Sequence, residues 1–305
     1  MGRVRISFIL CFTALVVLAQ ELPYYPSPGI LEAKLQKSKR RYELFDLKIN
    51  EIDPGTQNKL TAEAHYFKNR KTGKLPLLVI VPPVHGLSGR EKSIAKYFLK
   101  QGYQIVVLEP VKNITDGSIP VSEFQNTLLS FVGAVRSVID VMVKKEEVDS
   151  SSVFLWASSL GAIYSTIVFG ADRRINAAIL IAGGGSLPDI VTESRQKYVR
   201  RYKESRMKAE GLATDQDFRT KMKDNLNIDP IDFAKLRSPE EVYDIMALKD
   251  KSVPTQYQEL LFEAFMRTGY RKKYRLNHAF TLLLAHFTHH KVYSDFFNKR
   301  IKSRI

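Results

Sequence analysis

The sequence predicts an α/β fold built on a mostly parallel sheet, and three observations carry that prediction. Short, continuous, largely β-branched apolar runs recur at residues 75–81 (LPLLVIV), 104–108 (QIVVL), 153–156 and 177–181, the composition of strands buried on both faces. Segments of helical periodicity lie between or beyond them, at 93–101, 122–144, 161–170 and 256–268. Strand and helix therefore alternate, which calls for right-handed crossovers and helices on both sides of one sheet. The 305 residues suffice for one large domain or two small ones. With 44% hydrophobic and 26% charged residues, 16 Gly and 13 Pro, collagen-like, disulfide-scaffold and disordered chains are excluded.

Taken in order, the chain opens with MGRVRISFILCFTALVVLAQ. Arg3 and Arg5 precede an apolar run from Ile6 to Ala19, with Val17 and Ala19 where a signal peptidase reads small residues. The run is 14 residues long, against the roughly 20 that span a bilayer. Residues 1–19 thus read as a signal peptide and the mature chain as exported, periplasmic or extracellular. An uncleaved membrane anchor is the alternative. The only cysteine, Cys11, falls inside the run; it reads as apolar filler, and Leu10 before it argues against lipid attachment. Residues 20–41, Pro-rich and then basic, read as a leader. Residues 42–49 and 60–67 alternate apolar and polar positions, as half-exposed antiparallel strands do. Asn113-Ile114-Thr115 matches a glycosylation sequon. More than fifty polar, helix-prone residues separate the strand ending near Gly183 from a weaker one at 242–247. Such a stretch, here about 187–240, is either a solvated charged helix face or a cap inserted over a site.

The strongest local signal is Trp156-Ala157-Ser158-Ser159-Leu160-Gly161-Ala162, which follows a buried strand and opens a helical segment. A nucleophilic serine needs a sharp strand-to-helix turn that exposes its hydroxyl and aims the next N–H at a developing oxyanion. Small residues at two-residue spacing make that turn feasible. The pattern is A-x-S-x-G, with Ala157 where Gly is commonest, and alone it is equally a Ser/Gly-rich turn without chemistry. Pro82-Pro83-Val84-His85-Gly86-Leu87-Ser88-Gly89 supplies the loop after a buried strand from which a second oxyanion donor is drawn, by position the amide of Leu87 beside that of Leu160. His85 precedes the serine and reads as a hydrogen-bonded loop residue. Downstream, Ala247-Leu248-Lys249-Asp250-Lys251-Ser252-Val253-Pro254 ends a strand in a turn that carries an acid, and Leu276-Asn277-His278-Ala279-Phe280 presents a histidine past a last short strand. Singly, Asp250 reads as a surface turn residue and His278 as a helix N-terminal histidine. The chain order Ser159, Asp250, His278 makes the joint reading, a Ser-acid-His triad, the better one.

With these motifs in place, residues 42–301 resemble an α/β-hydrolase. The resemblance implies an eight-stranded, mostly parallel sheet whose first strands form an antiparallel pair, with a helical cap after the sixth strand. It further implies Ser159 as nucleophile, His278 as general base, Asp250 as its orienting acid, and the amides of Leu87 and Leu160 as the oxyanion hole. The chemistry would be hydrolysis of small-molecule carboxylic esters or thioesters through an acyl-enzyme, with an aminopeptidase-like amidase as the alternative. Neither a cofactor nor a metal is called for. Ala157 and Asn277, the latter where a Gly often precedes the histidine, depart from the family pattern without removing a reacting group.

Two features stand outside that chemistry. His286, His289 and His290 share a helix at metal-compatible spacing but lack an intervening Glu or nearby Cys, so a half-buried helix with one wet edge is the simpler reading. The formal charge is +15, and between Arg267 and Ile305 ten Lys/Arg face Asp295 alone. No nucleic-acid module accompanies these cations, so an anionic membrane or envelope surface, or simple solubility, fits better than nucleic acid. A non-catalytic hydrolase fold that binds such a surface or a partner is the remaining alternative.

Overall fold

A computed structural model of the chain describes residues 29–52, 59–83, 86–110, 114–267 and 269–301. The signal segment, His85 and Asn113 lie outside the described residues. Nine strands among those described form one sheet: β1 Gly29–Ser38, β2 Tyr42–Ile52, β3 Lys59–Asn69, β4 Leu75–Val81, β5 Gln104–Leu108, β6 Val148–Ser158, β7 Ile175–Ile181, β8 Val242–Ala247 and β9 Arg271–Tyr274. Their spatial order is β1-β2-β3-β5-β4-β6-β7-β8-β9. Pairing is antiparallel from β1 to β5 and parallel from β5 through β9.

The expected count of eight strands is thereby corrected to nine. The additional strand, β1, comes from the stretch read as a leader. Every one of its residues is exposed, and its pairing with β2 is broken by register shifts at Ile30/Glu32 and Leu35/Lys37. It buries no side chain, so no hydrophobic alternation marks it. Its lysines suit an edge strand, where charge discourages pairing with another chain.

The parallel strands are apolar on both faces because both faces are covered. Leu77, Val79 and Val81 of β4 point with Leu155 and Ala157 of β6 into one core, packed by Leu128, Val135 and Ile167. These belong to α2 Phe124–Met142 and α3 Leu160–Ala171. Leu78 and Ile80 point the other way with Phe154 and Trp156, onto Phe98, Ala285 and Phe297. The second layer consists of α1 Gly89–Gln101, α9 His278–Thr288 and α10 His290–Asn298. Between β7 and β8, where the cap was expected, stand α4 Leu187–Glu193, α5 Lys197–Ala209, α6 Asp215–Asn225 and α7 Pro230–Ala234; α8 Thr255–Ala264 follows β8. The cap helices are anchored by buried Tyr202, Phe218 and Met222.

Strand order reverses at β4, which lies between β5 and β6. In an open α/β sheet the crevice at the carboxyl ends of strands beside such a switch point is where ligands bind. The loops after β4, β6 and β8 all converge there.

Candidate active site

β6 runs into Ser159, which adopts φ 55° and ψ −127° before α3 begins at Leu160. This left-handed backbone is costly for a residue with a Cβ, and it holds because Ser159 N–H donates to Ile181 O at 2.7 Å and Ser159 O accepts from Ile163 N–H at 3.1 Å. Gly161 makes the turn possible: a Cβ there would lie 2.5 Å from the carbonyl oxygens of both Val81 and Pro82. Ala157 fits because it is an interior sheet residue, fully buried between Val81 of β4 and Leu180 of β7. The strain falls on Ser159, two residues later.

The acid and the histidine arrive on turns tied to each other. Past β8 and β9 the ladder continues, with Leu248 N–H on Tyr274 O at 2.8 Å and Lys249 N–H on Leu276 O at 3.0 Å. Asn277 caps α9, its side chain accepting from Phe280 N–H at 3.1 Å; this supplies a reason for asparagine at that position. His278 is the first residue of the helix. Its Nδ1 lies 2.6 Å from Asp250 Oδ2 and its Nε2 lies 2.8 Å from Ser159 Oγ. Ionised Asp250 only accepts, so Nδ1 carries a proton and Nε2 is left to accept from the serine hydroxyl. The Asp250 side chain is wholly buried while His278 stays 15% exposed. The other carboxylate oxygen, Oδ1, accepts from Ser252 N–H at 2.7 Å and Val253 N–H at 3.0 Å. Gln258, which sequence reasoning missed, donates from Nε2 to Asp250 Oδ2 at 2.9 Å. It sits eight residues past the acid on the next helix, and only that proximity in sequence hints at its role.

One expected site residue requires correction. The amide of Leu87 donates to Glu109 Oε1 at 2.8 Å and so does not stand free for an oxyanion. The cause is the packing of Gly86, at φ 60°, where a Cβ would lie 1.8 Å from Glu109 Oε2; the loop is drawn onto the end of β5. His65 Nε2 holds the same carboxylate at 2.7 Å, and His65 Nδ1 holds Asp46 Oδ1 at 2.7 Å. Burial raises the Glu109 carboxyl, but the bonds from His65 and the Leu87 amide outweigh it and hold the group below its ordinary range. Leu160, expected as the other donor, opens α3, whose first-turn N–H groups have no intrahelical acceptor, and it lines the cavity beside Ser159.

Two spaces meet at Ser159. One is a narrow apolar slot with about 90 Å³ of free volume, walled by Leu128, Leu160 and Ile163 of the body and by Ile190, Tyr198 and Val199 of the cap. The other is an open vestibule of about 600 Å³, lined by Pro83, Arg90, Lys249, Lys251, Asn277 and Ala279. His278 and Ser159 border both.

No protein-family model matches the sequence, and no curated protein matches it. Solved structures do. Acetyl xylan esterase 1 from a Thermoanaerobacterium species superposes with a TM-score of 0.70 at 14% identity, over 95% of this chain and 93% of that one. An acetyl xylan esterase from a Paenibacillus species gives 0.63 at 14%, over 97% and 95%. The acylaminoacyl peptidase of Pyrococcus horikoshii gives 0.59 at 13%, over 90% of this chain and 50% of the other. The chain has the α/β-hydrolase fold.

Within this α/β-hydrolase fold the three late histidines point apart. His286 is buried against Trp156, with ring centroids 4.5 Å apart, and its Nδ1 donates to Leu282 O at 2.5 Å. Its Nε2 faces Glu91 Oε1 at 3.4 Å. His289 meets the Tyr274 hydroxyl, and His290 Nε2 donates to His286 O at 2.6 Å. Glu91 also accepts from Ser88 N–H at 3.0 Å and from the Ser88 hydroxyl, closing a capping box at the start of α1. Burial raises its carboxyl, but the neighbouring His286 imidazole and the hydrogen bonds from Ser88 outweigh this and hold it down at about 2. The pair thus fixes the helix that begins beside the vestibule.

Proposed function

We propose that the chain is a serine hydrolase that cleaves carboxylic esters or thioesters. The observation that carries this reading is the continuous hydrogen-bonded line Ser159–His278–Asp250, with the serine on a strained turn at the mouth of an apolar slot. His278 Nε2 takes the hydroxyl proton as Ser159 Oγ attacks the acyl carbonyl. Asp250 keeps the imidazole in the right tautomer and stabilises the imidazolium, and the Leu160 N–H receives charge developing on the carbonyl oxygen. His278 then protonates the leaving group, and a water activated by the same Nε2 releases the acyl group from Ser159. A proton-transfer role of this kind is worth about 10²–10⁴ in rate, and a single oxyanion donor about 3 kcal/mol. The esterase neighbours agree with the reading, at identities that speak for fold alone.

Export rests on the charged and apolar pattern of residues 1–19. Among the described residues no helix is long and apolar enough to cross a membrane. One experiment tests both parts. Protein recovered outside the cytoplasm is treated with a fluorophosphonate and its intact mass measured. The wild type should begin at Gln20 and carry one adduct, and Ser159→Ala should carry none. An adduct on the variant overturns the nucleophile assignment, and a mass that retains residues 1–19 overturns cleavage.

A further inference from the structure

The vestibule beside Ser159 carries three cations and no acid. Arg90, Lys249 and Lys251 line it, and none of its lining residues is an Asp or Glu. Several cations outside it are paired: Arg219 with Asp189 and Glu193, Lys203 with Asp215, and Arg271 and Lys273 with Glu259. Among the described residues, no carboxylate pairs with Arg90, Lys249 or Lys251. Three unanswered cations in one concave space repel one another, and a concavity with low-dielectric walls concentrates their field. An anion entering it would relieve that repulsion.

The backbone that carries them is held in place. Lys249 and Lys251 flank Asp250 on the turn after β8, where Lys249 N–H is bonded to Leu276 O at 3.0 Å and Lys251 O accepts from Arg195 N–H at 2.7 Å. Arg90 is the second residue of α1, whose start is locked by the Ser88–Glu91 capping box. A site whose attachment points are already fixed loses less freedom when it binds.

Chemistry decides which half of a substrate lies there. The leaving group must receive its proton from His278 Nε2, so it sits on the histidine's side of the reacting carbon. The vestibule is bounded by His278 with both of its neighbours, Asn277 and Ala279. The slot instead lies against Leu160, the oxyanion side, and is walled by apolar side chains that suit an acyl chain.

We propose, resting on the serine-hydrolase reading above, that Arg90, Lys249 and Lys251 form a subsite for an anionic leaving group: an alcohol or thiol that bears a carboxylate or phosphate. The acyl group occupies the apolar slot. As the acyl C–O or C–S bond breaks, the departing heteroatom takes the proton from His278 Nε2, the acyl group stays on Ser159 Oγ, and the alcohol or thiol leaves past the three cations.

The test compares 4-acetoxybenzoate with its uncharged methyl ester, which share acyl group and aryl scaffold, and adds 4-acetoxyphenyl phosphate as a second anion. At low salt the wild-type kcat/KM is expected to favour both anionic esters over the neutral one by roughly tenfold, and 1 M salt should shrink the preference, since the screening length falls to about 3 Å. In the Arg90→Gln, Lys249→Gln, Lys251→Gln variant, with active sites counted by fluorophosphonate, the anionic-to-neutral ratio should fall to about one. A wild-type ratio near one, or a ratio that survives the triple substitution, overturns the subsite. Preference for one anion alone narrows the ligand to that group. Binding to Ser159→Ala protein, measured by calorimetry, keeps the two proposals apart: tighter, salt-sensitive binding of 4-acetoxybenzoate than of its methyl ester supports the subsite even if neither ester is turned over, and equal binding overturns it.

Discussion

Gln258, a residue without reactive chemistry of its own, fixes the geometry around Asp250. It is 1% exposed, and its amide is fully used: Oε1 accepts from Ala247 N–H at 3.0 Å, while Nε2 donates to Asp250 Oδ2 at 2.9 Å and to Val253 O at 2.7 Å. It therefore pins the end of β8, the acid and the turn between them. Oδ2 of Asp250 is the oxygen that faces His278, so loss of the Gln258 bond frees the carboxylate to rotate away from the imidazole. Gln258→Met keeps most of the volume and removes the polar contacts. It is expected to lower kcat by about 10–100-fold with KM nearly unchanged, since small misplacement of a reacting group costs about two powers of ten. The rate of fluorophosphonate labelling should fall in parallel. A folded Gln258→Met protein with wild-type kcat would show that the residue only fills space.

At the scale of elements, β2, β3, β5 and the loop after β4 are joined through His65. Asp46 and His65 face each other in the β2–β3 register, and Glu109 follows β5 and holds the Leu87 amide. Burial pulls the His65 imidazole down, but its hydrogen bonds to Glu109 and Asp46 outweigh it and raise the group above its ordinary 6.5. A histidine raised in the folded state contributes stability that is fully present below the unfolded value and lost as pH rises through the folded one. Glu109 is depressed, so its share is present above its unfolded 4.5 and lost in acid. Both act together between about pH 5 and 6.5. His65→Leu should therefore widen the stability gap to wild type at pH 5.5 and narrow it at pH 9, read by urea denaturation; a gap that is the same at both pH values would show that His65 is not charged in the fold. This connection was invisible in the sequence because its members lie 19 and 44 residues apart, with no periodicity between them. By contrast β4 through β7 were legible as strands, since burial on both faces demands uninterrupted apolar runs. β1 was not, because GILEAKLQKS buries nothing and selects for no pattern. The helix expected over 256–268 ends at Ala264 because Met266 and Arg267 turn into positive φ, a conformation that neither residue advertises.

For the molecule as a whole, the apolar slot exists only where body and cap meet. Ser159, Asp250 and His278 could be proposed from the sequence only jointly, since each alone reads as an ordinary turn or helix-terminal residue and only their chain order links them. The slot was not, because its walls come from α2, α3, α4 and α5, and no local pattern links residues brought together by a cap. Leu187, Ile190 and Val191 are buried at the floor of the cap, whereas Tyr198, on α5, is 46% exposed while lining the slot. Tyr198 is thus the wall residue whose removal disturbs the core least, and an exposed substitution of this kind changes stability by only about 0.5 kcal/mol. Removing its ring should extend the slot along the cap. A methylene gained or lost in an apolar pocket changes discrimination by about 1–3 kcal/mol, so the narrow slot should hold wild-type turnover to short acyl groups. Tyr198→Ala is expected to raise the hexanoyl-to-acetyl ratio of kcat/KM by roughly tenfold or more, measured with nitrophenyl esters at matched active-site concentration. An unchanged ratio would mean that the acyl group does not lie between cap and body, and would move it out of the slot.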